Sequence, residues 1–206
     1  MLLSSWITID KYLNFEAHLD SLAKKLSRAV GILAKVRHYV QKQTLINIYY
    51  SIFNSHLIYG TQNWIHGNNE KINKIQTLQN KAIKIISFAQ ARTPAKPLLK
   101  NLSIVSLRDY NMIQNCLLVH DVLNRNIPEP FIGFFEINQN PHSTRSATRT
   151  LKVNRTNTIL YGTKSVTASC ESDWNNSITK FKINSNEITR SMLKRTLTEK
   201  ILKKYE

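Results

Sequence analysis

The chain has 206 residues, enough for one ordinary domain or two small ones, and its apolar share supports a packed core rather than wholesale disorder. Lys and Arg number 29 against 13 Asp and Glu, a formal +16, which draws a protein toward polyanions such as nucleic acid or an anionic membrane surface. No apolar run approaches the roughly 18–20 residues of a spanning helix, the N-terminus lacks the basic lead of a secretory signal, and Cys116 and Cys170 are too few for a disulfide framework, so nucleic acid rather than membrane is the expected partner and a reducing interior, nucleus or cytoplasm, the expected setting.

Residues 6–9, Trp6-Ile7-Thr8-Ile9, read as a short strand that ends in a turn at Asp10. From about Asn14 the period becomes helical. Leu19, Leu22, Ala23, Leu26, Val30 and Leu33 form an apolar stripe, Lys24, Lys25, Arg28 and Lys35 lie opposite, and the pattern ends near Tyr39. A second helix is expected from Lys42, with Leu45, Ile48, Tyr49, Ile52 and Phe53 inward, stopping before Gly60; residues 61–69 read as loop. A third puts Ile72, Ile75, Leu78, Ala82, Ile83 and Ile86 inward and Lys71, Lys74, Lys81 and Lys84 outward. Pro94 and Pro97 are then expected to break the chain. A fourth helix starts at Ser106, an N-cap with Asp109 in the capping-box position, and turns Leu107, Tyr110, Ile113, Leu117 and Leu118 to the core. Asn126, Pro128 and Pro130 end it, and Phe131, Phe134 and Phe135 form an aromatic knot.

The composition shifts after that. Residues 137–170 contain no Asp or Glu, and β-branched and polar residues replace the leucines, so short strands or extended chain are expected. A helical piece returns around Trp174, with Glu171 and Asp173 as dipole-matching acids at its N-terminus. A last helix covers about 187–204 on Ile188, Met192, Leu193, Leu197 and Ile201.

No constellation for chemistry emerges. Two distant cysteines and six histidines without ligand spacing give no metal site. Five unclustered glycines give no phosphate loop, and no cofactor is implied. Cys116 and His120 stand at i, i+4, but a buried Cys is usually only a small hydrophobe. What remains is basic: Lys24, Lys25 and Arg28 on one helix, Lys81 and Lys84 on another, and Arg145, Arg149, Lys152 and Arg155 in a stretch rich in Thr, Ser and Asn. Arg forks onto phosphate oxygens, and hydroxyls and amides add neutral hydrogen bonds. Each basic face has a plainer reading as a solvated surface.

Several short segments then fall into one order. Ile9, Asp10, Leu13, Phe15, His18 and Leu19 come first, followed by Gly31, Leu33, Arg37, Leu45, Tyr49, Leu57, Tyr59 and Gly60. IQTLQNKAIKII, HSTRSA, RTNTILYGTKSV and DWNNSI complete the series. Together they resemble the C-terminal part of the reverse transcriptase of non-LTR (LINE-type, jockey-like) retrotransposons. The resemblance implies a mainly α fold: a palm-end remnant over 1–13, a helical thumb-like bundle over 14–136, and a small basic α+β or extended module over 137–206 with a terminal helix. It implies binding of RNA or a template–primer duplex. The family's Tyr/Phe-x-Asp-Asp turn does not occur in the chain, so the expectation is a fragment that is no enzyme on its own. The alternative expectation is a non-catalytic helical scaffold that binds protein, with association through the strand remnant Trp6, Ile7 and Ile9.

Overall fold

The computed structural model describes residues 7–138, 150–153, 157–158, 162, 165–181 and 188–205. The chain is mainly helical, as expected, and divides into two compact units, Met1–Tyr110 with Tyr205–Glu206, and Asn111–Lys204. The acid-free stretch from 137 lies inside the second unit.

The first unit begins with a correction. Residues 7–9 form no strand, for no described residue pairs with them, and Trp6 lies outside the described residues. Ile7 instead lays its side chain on Gly60. The turn at Asp10 does form. Its Oδ1 accepts from the N–H of Tyr12 (3.1 Å) and Asn14 (2.8 Å), and its Oδ2 from Glu16 (3.2 Å). Helix α1, Glu16–Val36, has Phe15 as N-cap in the left-handed region (φ 56), with no side-chain cap of its own. Asp10 thus supplies from upstream the acceptor that a capping side chain normally gives.

Helix α2, Lys42–Ile48, continues through a π-helical segment, Tyr49–Asn54, into α3, Ser55–Ile58. The expected extent is right, but the wider turn is not readable from the pattern. It brings the buried Tyr49 and Phe53 rings into a stack at 5.2 Å. Gly60 (φ 59) ends the run. Where a loop was expected, α4, Thr61–Trp64, follows at once, and Trp64 is buried with Nε1 donating to the Tyr59 carbonyl at 3.0 Å. Helix α5, Asn69–Ile86, is capped by Asn68, whose side chain accepts from Glu70 N and Lys71 N.

Helices α1 and α5 pack side by side and run in the same direction. At their starts Lys71 Nζ meets Asp20 at 2.7 Å and Glu16 at 3.9 Å; at their ends the Arg37 guanidinium lies 5.0 Å over the Phe88 ring. Pro94 and Pro97 do not break the chain. They open α6, Ala95–Asn101, as N-cap and first-turn residue, positions where a helix needs no proline N–H.

Helix α7, Leu107–Leu123, starts after Ser106, and Asp109 sits in the capping-box position as expected. The box is completed from far along the chain. The Tyr205 hydroxyl accepts from the Ser106 N–H at 2.9 Å and donates to the Asp109 carboxylate.

In the second unit α7 is buried on most sides, including Asn111, Asn115 and His120. A 3-10 turn, Glu129–Phe131, precedes the aromatic knot, where Phe131 and Phe134 meet edge to face at 5.4 Å and Phe135 is buried. Among the described residues the expected strands reduce to one antiparallel bridge, Ile137 with Leu151. The Asn175 side chain clamps Leu151 from α8, accepting from its N–H at 2.7 Å and donating to its carbonyl at 2.8 Å. Helix α8, Val166–Phe181, starts earlier than expected, with Ser165 Oγ accepting from Ala168 N at 3.3 Å. Glu171 and Asp173 are therefore not N-terminal acids but sit within the helix, and Glu171 is buried. Trp174 is buried beside them. Helix α9, Arg190–Lys203, buries Leu193, Leu197 and Ile201, whereas Met192, expected inside, is exposed.

Candidate nucleic-acid interface

Lys24, Lys25 and Arg28 are exposed on α1, and Lys74 and Lys81 on α5. None of them has an ion-pair partner among the described residues. The acids of these helices, Glu16, Asp20 and Glu70, all stand in or near the first turns. Lys71 takes up two of them. Its hydrogen bond, with the nearby charges of Lys74 and Lys24, holds the Asp20 carboxyl below its usual range against a desolvation cost. Beyond that end both helices present cations only.

This imbalance is wider than the two helices. Residues 21–108 hold fourteen Lys and Arg (24, 25, 28, 35, 37, 42, 71, 74, 81, 84, 92, 96, 100 and 108) and one acid, Glu70. That stretch is legible in the sequence alone. Ordinary surfaces intersperse the two signs. A surface that does not do so gathers a positive field over its whole extent.

The other expected contacts fare differently. Lys84 is half-buried, with Nζ donating to the Ala91 carbonyl at 2.6 Å, so it ties down the turn after α5. Lys152 is exposed and pairs with Glu136 at 3.0 Å. Arg145, Arg149 and Arg155 lie outside the described residues. Lys24 of α1 and Lys74 of α5 both act on the Asp20 carboxylate, so these two cations lie near one acid.

No group of three or more His, Cys, Asp or Glu able to hold a metal occurs among the described residues. Cys116 and His120 are each engaged elsewhere: Cys116 Sγ donates to Ser177 Oγ (3.5 Å), and His120 Nε2 meets the Ile188 carbonyl (2.8 Å). Burial pushes the Cys116 and Cys170 thiols up to about 12, so neither is a thiolate near neutral pH. Among the described residues no helix is long and apolar enough to cross a membrane. No protein-family model, curated protein or solved structure matches the chain.

Proposed function

We propose that this chain binds the sugar–phosphate backbone of RNA or of an RNA–DNA duplex, as the thumb and post-thumb region of a non-LTR retrotransposon reverse transcriptase would, and that it is no polymerase on its own. The observation that carries the reading is the pair of parallel helices whose acids are gathered at one end, leaving Lys24, Lys25, Arg28, Lys74 and Lys81 exposed. Exposed cations with no acid beside them suit contacts to phosphate oxygens. They give affinity and register, not sequence choice. The two free, buried cysteines suit a reducing compartment, nucleus or cytoplasm.

The test is salt. Neutralising three to five phosphates releases counterions, so the log of affinity for a labelled RNA hairpin should fall against the log of KCl with a slope of about −2 to −4.5. A flat response from low to physiological salt sinks the reading.

One observation favours the scaffold reading instead. Ile9, Tyr12 and Leu13 are 68%, 58% and 48% exposed ahead of α1. If they dock on protein, light scattering will show mass rising with concentration, and Ile9→Asn with Leu13→Asn will abolish the rise.

A further inference from the structure

On α1, His18, Ser21 and Lys25 recur at i, i+3 and i+7, which on a helix is one face. Thr8, from the segment ahead of α1, and His56 and Tyr59, in and just after α3, join them around a cavity of about 50 Å³. No carboxylate lines it. His18 is only 7% exposed, and its Nε2 has no hydrogen-bond partner among the described residues. A buried nitrogen left so is costly, and native folds satisfy nearly all of them.

Size and chemistry narrow what could satisfy it. One water needs about 10–15 Å³ of such space, so the cavity has room for about three to five. That is also the room of one tetrahedral oxyanion. The lining offers an imidazole N–H, an ammonium and the hydroxyls of Thr8 and Ser21, all able to donate. Desolvation first, and then the charge of Lys25, holds His18 below the usual histidine range, so its ring is neutral near pH 7. A neutral imidazole can still donate from Nε2 when Nδ1 is the acceptor.

We propose that this cavity is an oxyanion seat taking a single phosphate group, free or as one backbone phosphate of a bound strand. The strand arm rests on the backbone-binding reading above; the seat itself rests on the cavity alone. Donors from α1 and from the segment ahead of it would fix one phosphate in place, where the exposed lysines elsewhere on α1 and α5 only attract. A strand seated here would therefore gain a fixed point from which the remaining contacts take their register.

The experiment uses the full chain and inorganic phosphate. Histidine Cε1–H signals are followed by NMR during a phosphate titration at ionic strength held constant with NaCl, the His18 signal being assigned with His18→Gln. A saturable movement of the His18 signal is expected, with affinity weakened about tenfold or more in Lys25→Gln, the effect of one charge-assisted hydrogen bond. No saturable movement, or an unchanged curve in Lys25→Gln, overturns the seat. Lys25 is exposed, so that variant folds. A short RNA then separates the sources. If it moves the His18 signal and phosphate competes, the seat holds a strand phosphate. If RNA binds by anisotropy and leaves His18 unmoved, the seat holds free phosphate. If phosphate saturates His18 and RNA does not bind, the seat stands and the backbone-binding reading falls.

Discussion

Gly60 shows how one residue fixes the junction between two helices. Its φ of 59 is left-handed, and a β-carbon there would collide with Ile7 Cδ1. Gly60→Ala should cost about 1–2 kcal/mol for the backbone alone, and displacing Ile7 adds to that; urea unfolding will read it, and an unchanged midpoint would mean that the turn relaxes freely. Asp173 offers a different kind of residue-level test. Desolvation raises its pKa from 3.8, and the bond from Asn115 Nδ2 (2.8 Å) only partly offsets the rise. The fold therefore prefers the protonated acid. Its contribution is fully present below 3.8 and is lost as pH rises through the raised value. Asp173→Asn keeps an acceptor for Asn115 and sheds the charge. Its melting temperature should match or exceed the parent's at pH 7, with the gap closing toward pH 3. A variant less stable at every pH would show that the charge itself is needed.

At the scale of the element, α1 separates binding from folding. Its core stripe and its cations lie on different faces. Replacing Lys24, Lys25 and Arg28 with Gln should make the salt slope shallower by about 2–3 and leave the melting temperature nearly unchanged. A large drop in melting temperature with the slope intact would make those side chains structural. The same helix shows what a sequence can reveal. Leu19, Leu22, Leu26 and Leu33 repeat along one face, and that repeat marks α1; α5, α7 and α9 are legible for the same reason. Local geometry explains the rest. Prolines at 94 and 97 look like breakers, yet a first turn has no N–H to lose. The π segment keeps Tyr49 and Phe53 at an ordinary helical spacing, so nothing in the pattern distinguishes it. Ser165 gives α8 its start, but the acids Glu171 and Asp173 draw the eye further on. The oxyanion seat was half-legible: His18, Ser21 and Lys25 share a face in the sequence, whereas Thr8, His56 and Tyr59 join them only in three dimensions.

For the whole chain, a formal +16 predicts non-specific attraction to any polyanion, so heparin should compete with RNA as well as an unrelated RNA does. Discrimination by more than about tenfold among RNAs of equal length would point to contacts beyond the backbone. Stability has a long-range component too. Tyr205 is buried and closes the cap at Ser106 and Asp109. Tyr205→Phe leaves the Ser106 N–H bare and should cost about 1–3 kcal/mol, read by urea unfolding; no loss would mean water replaces the hydroxyl. That clasp also has a bearing on biosynthesis. A ribosome adding about 5–20 residues per second needs roughly 5–20 s to travel from Ser106 to Tyr205. For those seconds the nascent first unit holds an open helix start, and a chaperone or a premature RNA has its best opportunity before the final tyrosine emerges.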